Sequence, residues 1–538
     1  MLRQKGLTDK LLLLGIDGLD PRFTKKMIEE GRMPNTQKLL ARGAAREDLM
    51  LLGAMPTITP PMWATLGTGA YPMTHGIEDF YISAPGQVEV SLGAFFSKFC
   101  KAEPLWNVTA QAGKKTLVLH WPGGAWPPTI DSDNLMMVDG TSPGNIGMVY
   151  ATRDIDTALI ASENCPQLAY MPYSTVTSKL EGDESLKVPS FPVKSGKWDE
   201  RMQSVFEQFK EGLGFNGYEA TKEDVKIKFA MDGSMMWILA DFPIAASLSP
   251  ITVPKDWHID IPQGAKEFTL VYGKGKEKRP ALILQNTDGQ YDRVVIYSDK
   301  QTVEPLSILE RDVFTDHVPD TIMRRNGACQ VFRNMRLLEL AEDGSYVRIW
   351  ASKAIDCNDD SVWYPKELFQ DIKQHFGPPH PTGQMGSHDR DLVLKCVHEQ
   401  WARSADWQAD CLQYMMDEKD VDVIFSHYHR PDLQGHNYMK YLKERDTSVF
   451  SEMEVREFAE ETYALTDHYI GRFLPYLDQG WTILVFSDHA LVCPEQTPHI
   501  LGDNGSVNLE FFQDKGYTVL KQDENGTLLP EIDWSQTT

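Results

Sequence analysis

The chain has 538 residues, 42% of them apolar and 24% charged, and a formal net charge of -24 at pH 7. That length allows roughly two to four domains, or one large domain with insertions, and the apolar share excludes wholesale disorder. The acidic balance argues against a nucleic-acid polymer or an anionic membrane surface as main partner. An anionic small substrate stays admissible, because bound metal ions reverse the local field.

The first candidate element is Lys10-Leu11-Leu12-Leu13-Leu14-Gly15-Ile16-Asp17-Gly18. A continuous apolar run of this length suits a parallel strand covered on both faces. Asp17 then lies at the strand's carboxyl end, where open α/β sheets build their sites, although Asp-Gly is also a common turn. Phe23 to Gly43 has helical spacing. The stretch Met55-Pro56-Thr57-Ile58-Thr59-Pro60-Pro61-Met62-Trp63 follows. It reads as a loop turning into a helix, with Thr59 at the N-cap and two prolines in the first turn, where a missing N–H costs nothing. A capped helix is one reading of it. The other is a threonine nucleophile held at the positive end of a helix, facing an anion.

Tyr71 to Phe80 reads as a loop, Lys115 to Trp121 as a second buried strand, and Met136 to Gly140 as a short third. Alternating strands and helices predict a mostly parallel, doubly wound sheet. The pattern changes near residue 180. Phe268–Tyr272, Ala281–Gln285 and Arg293–Tyr297 are short strands between turns, and Met335–Leu340 and Tyr346–Trp350 flank Asp343-Gly344 as a hairpin. Gly273-Lys274-Gly275-Lys276 is a hairpin turn rather than a phosphate loop, since no helix pattern follows it. The helical period returns from His388 to Lys419. Val421 to Ser426 is a strand, Phe458 to Leu477 a helix, and Trp481 to Ser487 another buried strand ending in Asp488-His489. The expected organisation is a core in two parts, 1–180 and 356–538, around a β-rich insertion or cap at 181–355.

Three strand ends thus carry Asp or His. Asp432 and His436, four apart, share a helical face and can grip one cation, and Thr497-Pro498-His499 follows Asp488-His489. Mixed carboxylate and imidazole donors suit zinc or manganese with open positions. The set divides into two metals, one taking Asp17, Asp488, His489 and the Thr59 oxygen, the other Asp432, His436 and His499. Trp121 and Trp126 could stack on a base or aryl group, but the burial habit of tryptophan favours structural packing.

These blocks in this order resemble the alkaline phosphatase superfamily, in particular its type I phosphodiesterase/nucleotide pyrophosphatase branch and the related phosphohydrolases and phosphomutases. The resemblance rests on Gly15-Ile16-Asp17-Gly18, Thr59-Pro60-Pro61 through Thr68-Gly69, His75-Gly76-Ile77, Asp432-x-x-x-His436 and Ser487-Asp488-His489. It covers residues 8 to about 145 and 385 to 515. It implies an alkaline phosphatase-like α/β core, metal roles for Asp17, Asp432, His436, Asp488 and His489, and a nucleophile role for Thr59. His499 resembles the last ligand of cofactor-independent phosphoglycerate mutases, which follows the Asp-His pair closely in a Pro-His context. His427 and His429 compete for that place but read as structural strand-end histidines. Where nucleotide pyrophosphatases hold a phosphate oxygen with asparagine this chain has Phe80, so a nucleotide diester substrate does not carry over. No sulfatase Cys/Ser-x-Pro-x-Arg motif stands at Thr59.

The implied activity is a two-metal phosphodiesterase acting through a phosphothreonine on a small phosphorylated substrate. A phosphomonoesterase, a phosphomutase and an inactive metal-stabilised binding protein are the alternatives. Seven dispersed cysteines without a CxxC pair imply reduced thiols. The apolar run at Leu11–Leu14 is too short for a signal peptide and is broken by Asp17, and no stretch suits a bilayer span. A cytoplasmic protein with no membrane partner is the expectation.

Overall fold

A computed structural model describes residues 8–51, 53–84, 87–139, 152–154, 158–165, 177–189, 225–227, 245–324, 327–381, 392–435, 452–491 and 509–537, with a few positions between 203 and 210. The core is a six-stranded sheet. Its strands are β1 (Lys10–Ile16), β2 (Thr116–Leu119), β3 (Leu135–Val138), β4 (Trp363–Tyr364), β5 (Val423–Tyr428) and β6 (Trp481–Phe486), in the order β4-β3-β2-β5-β1-β6. All neighbouring pairs are parallel except β4 on β3 at one edge. The two strands from the C-terminal third therefore flank β1 and complete the sheet begun by the N-terminal third.

The leucine run explains why β1 is central. Leu12, Leu14 and Ile16 enter one apolar cluster and Leu11 and Leu13 pack on another, so successive side chains serve opposite faces. The second face is covered by α1 (Thr59–Thr68) and α2 (Leu105–Gln111), through Trp63, Trp106 and Ala110. The first is covered by α3 (Glu367–Phe376), α4 (His398–Asp417) and α5 (Glu452–Gly471), through residues such as Phe369, Leu412 and Tyr469. Burying each such side chain contributes about 1.5–3 kcal/mol before chain entropy is counted. The architecture is mixed α/β, a mostly parallel sheet flanked by helices.

A nine-stranded sheet grows on the hairpin of Phe314–Arg324 and Gly327–Leu340, and a four-stranded antiparallel sheet runs from Lys266–Tyr272 to Ser307–Glu310. The nine-stranded sheet also takes in Thr152–Asp154 and Ala158–Ser162, which the boundary at 181 assigned to the core, and Ala245–Ser249 pairs parallel with Ala158–Ser162. Gly344 turns the expected hairpin with φ 65°, and Gly273–Gly275 forms a tight turn within another. The helical stretch from Phe23 to Gly43 splits into Pro21–Glu29 and Pro34–Arg42, because Gly31 takes φ 73° and Pro34 starts a new helix. Among the described residues no helix is long and apolar enough to cross a membrane.

Candidate metal and catalytic site

The carboxyl ends of β1, β5 and β6 are adjacent, and the residues that follow them converge. Gly15 is opposite His427 on one side and Phe486 on the other. The Asp17 N–H still donates to the Tyr428 carbonyl at 2.9 Å, which carries the pairing one residue past β1. Two glycines make the convergence possible. A Cβ on Gly15 would sit 2.4 Å from the Trp63 ring, and one on Gly18 would sit 2.7 Å from the Asp432 Cα. Gly18 also has φ 67°, a left-handed backbone that glycine adopts without strain.

Thr59 is the first residue of α1, and Ile58 is its N-cap. This corrects the expectation that Thr59 caps the helix. With prolines at 60 and 61 a side chain at the cap has almost no N–H to accept from, so no capping hydrogen bond forms and the Thr59 hydroxyl is left for other work. It lies 3.1 Å from His489 Nε2. The same prolines leave Thr59 as the only N–H donor among the first three helical residues, so little of the anion stabilisation expected at a helix start is available here.

Around His489 three oxygens gather. Its Nε2 is 3.1 Å from Thr59 Oγ1, 3.2 Å from Asp488 Oδ2 and 3.5 Å from Asp17 Oδ1. Its Nδ1–H donates to the Ala490 carbonyl at 3.2 Å, which leaves Nε2 bare in the neutral ring. The Thr59 hydroxyl then donates to it. Ser487 fastens the turn, its Oγ accepting from the Leu19 N–H at 3.0 Å and donating to the His489 carbonyl at 2.9 Å. Asp17 Oδ1 and Asp488 Oδ2 are buried and make no hydrogen bond. Burial, then the neighbouring Asp488 and Asp432, push the Asp17 carboxyl well above the usual range, and burial raises Asp488 too.

Those observations suit a divalent cation. Two unpaired buried carboxylate oxygens are costly without one. Ligands about 2.0–2.1 Å from a tetrahedral ion lie about 3.3 Å from each other, close to the separations at His489. Asp17, Asp488 and His489 form a group able to hold a metal, and Asp17, His427 and His429 form a second.

Asp432 stands beside this cluster. His429 Nε2 is 3.0 Å from Asp432 Oδ2 and 3.7 Å from Asp17 Oδ2, and His427 Nε2 is 2.9 Å from Asp17 Oδ2. The sequence offered these histidines as rivals for the last ligand and favoured a structural strand-end role for both; β5 runs on to Tyr428, two residues past the expected end at Ser426, and brings His427 level with Gly15. The spacing His427-x-His429-x-x-Asp432 is the signal that was present. The candidate ligands His436 and His499 lie outside the described residues.

Trp63 supports the centre from below. Its Nε1–H donates to Asp17 Oδ2 at 3.1 Å, and its ring meets that of His427 edge-on, with centroids 4.8 Å apart. Trp121 donates in turn to the Trp63 carbonyl at 3.1 Å, and both Trp121 and Trp126 are buried in the core. His75 is structural as well. Its Nδ1 accepts from the Ile77 N–H and its Nε2 pairs with the Thr65 hydroxyl, each at 3.1 Å. Phe80 packs edge-on against Phe95.

The fold and site together describe an α/β protein with a cluster of carboxylates and imidazoles able to hold a cation at the strand ends of its mostly parallel sheet. Residues 11–269, just under half of the chain, match the model of the family described as type I phosphodiesterase / nucleotide pyrophosphatase, the family that the motif blocks resemble. An ectonucleotide pyrophosphatase/phosphodiesterase of Caenorhabditis elegans is 30% identical over 120 residues, which is 22% of this chain and 15% of that protein. A crystal structure of phosphonoacetate hydrolase from Sinorhizobium meliloti 1021, in complex with phosphonoformate, matches at 25% identity with a TM-score of 0.20. That match covers 22% of this chain and 28% of the other. The chain thus spans under a third of the length of either protein.

Proposed function

We propose that the chain is a divalent-metal-dependent phosphohydrolase, acting as a phosphodiesterase on small phosphorylated substrates with Thr59 as nucleophile. The observation that carries this reading is the approach of a threonine hydroxyl to within 3.1 Å of a bare imidazole nitrogen, beside two buried carboxylate oxygens that lack partners. The printed names of the family and of the relative from Caenorhabditis elegans support the reaction class.

Asp17, Asp488 and His489 would hold one cation next to Thr59, and Asp432 belongs to the ligands of a second. Bound there, divalent cations lower the pKa of the threonine hydroxyl and offset charge on the phosphoryl oxygens. The chain's own contribution is position. The helix start fixes Thr59 Oγ1; the hydroxyl gives up its proton to water, the oxygen attacks phosphorus in line, and the ester oxygen leaves on the opposite side and takes a proton from water. The product of that step is a phosphothreonine, which water then cleaves. The two prolines keep the helix start poor in N–H donors, so charge stabilisation falls on the centre rather than on the backbone.

The test compares bis(p-nitrophenyl) phosphate with p-nitrophenyl phosphate on protein loaded with zinc or manganese, with chelator and Thr59→Ala controls. Preference for the diester supports the reading. Preference for the monoester moves the assignment to a phosphatase or mutase. Failure to turn over either substrate in the loaded protein overturns it.

A further inference from the structure

We propose that the stacked pair His317 and His380 is an acid-sensitive latch between the insertion and the core, closed while both rings are neutral and released when either takes a proton. The inference is independent of the reaction at Thr59 and uses none of the residues at the strand ends.

The pair joins two parts of the chain. His317 lies on the hairpin strand Phe314–Arg324, at the irregularity between Thr315 and Val318, where its backbone takes φ 49°. That left-handed conformation is strained for a residue with a Cβ. The His317 N–H donates to the Asn334 side chain at 3.2 Å, which holds the turn. His380 follows α3 in Pro378-Pro379-His380-Pro381, and the Trp407 indole of α4 fastens the start of that segment by donating to the Gly377 carbonyl at 3.2 Å. The two rings lie 4.7 Å apart and are tilted by 31°, while Phe332 meets His317 edge-on at 4.6 Å. The His317 ring also bonds to the Pro378 backbone, through Nδ1, because its Nε2 is buried without a partner. His380 is buried, and its Nδ1 likewise makes no hydrogen bond.

Those two bare nitrogens are where protons would go, and the surroundings resist them. On α4, Arg403 pairs with Asp316 and, at 2.9 Å, with Glu399, and its guanidinium covers the Phe314 ring at 5.0 Å. On the facing strand Gly327–Leu340, Arg333 turns away to the Ser352 carbonyl at 3.1 Å. Burial lowers His317 and outweighs the pull of Asp316, with Arg403 adding to the burial. Burial, then the His317 ring and Arg403, hold His380 down to about 3. A proton on either ring thus charges a buried stack beside a guanidinium. Opening relieves this, since a solvated imidazole takes a proton at about 6.5. The closed contact binds fewer protons than the open one, so it is favoured above that pH and weakens as the pH falls. For His380 alone, release from about 3 to about 6.5 makes opening about 30-fold easier at pH 5 than at pH 7.5.

The experiment follows amide hydrogen exchange of the full chain by mass spectrometry at pH 7.5 and pH 5, with rates corrected for intrinsic exchange. In the parent, protection of Phe314–Arg324 and of the segment from Glu367 to Pro381 is expected to fall about 10- to 30-fold at pH 5, while the central strand β1 keeps its protection. His380→Asn and His317→Asn should each flatten that fall. Asparagine accepts the left-handed backbone at 317 and keeps an N–H for Pro378, so His317→Asn carries the test should His380→Asn fail to fold. Protection that does not change with pH, or that falls equally in β1, overturns the latch. So does a fall of parental size in both variants, which is the outcome expected if acid acts only on the carboxylates at the strand ends.

Discussion

At the scale of single residues, the proposed function separates Thr59, the proposed nucleophile, from the groups proposed to hold a cation. Thr59 reaches His489 with its hydroxyl and makes no capping bond that the helix depends on. Thr59→Ala is therefore expected to abolish turnover with little change in cation affinity or unfolding midpoint, and Thr59→Ser to restore part of the rate. Loss of bound metal in the alanine variant would count against a nucleophile. Trp63 is the opposite case. Trp63→Phe keeps most of the buried ring but removes the N–H that Asp17 Oδ2 accepts. The expected outcome is a folded protein whose cation affinity falls by about 10- to 100-fold, as for other groups that orient a ligand, read by competition with a chromophoric chelator.

At the scale of elements, the site is made by where strands stop. β1, β5 and β6 are in register, so Asp17, His427 and the Asp488-His489 pair lie together at the carboxyl end of the sheet. Gly15 lets Trp63 cross β1, and Gly18 lets the backbone of Asp432 approach. Gly15→Ala would place a methyl 2.4 Å from the indole. Overpacking of this kind costs about 1–3 kcal/mol, and here it also drives Trp63 away from Asp17. A lowered urea midpoint together with weakened metal binding is expected. A lowered midpoint with unchanged binding would separate Trp63 from the centre. The sequence made β1, β6 and the helix at Thr59 legible, because their apolar runs and punctuating prolines are local features. It left β5 two residues short, since His427 and Tyr428 look polar in sequence and become strand only by pairing with Gly15 and Ile16.

At the scale of the whole molecule, buried titratable groups set opposing pH trends. Burial holds His120 and His380 down to about 3, and His380 also stacks beside His317, with ring centroids 4.7 Å apart. Such histidines stay neutral in the fold while the unfolded chain takes up protons below about 6.5. Their stabilisation is therefore complete above that pH and is lost as the pH falls toward 3. Asp17 and Asp488 run the other way. Their raised folded values mean that stability present at acid pH is lost as the pH rises through those values, unless a cation compensates the charge. In chelator, the urea midpoint is expected to fall on acidification below about 6.5, and His380→Asn should flatten that fall. Zinc should raise the midpoint more at pH 7.5 than at pH 5. An equal gain at both would argue against these carboxylates as ligands.

The sequence by itself determined the α/β class, the central strand, the hairpins of the insertion and the order of the motif blocks, because each depends on neighbours within a few residues. It also located Asp17, Thr59, Asp432 and the Asp488-His489 pair as candidates. Only the tertiary structure decided that Asp17 presents its two oxygens to different partners, that Trp63 fixes one of them, and that His427 and His429 face the same carboxylate. Those relations join residues some 50 to 470 positions apart, and a side chain's direction across such a span follows from sheet register and close packing rather than from local pattern.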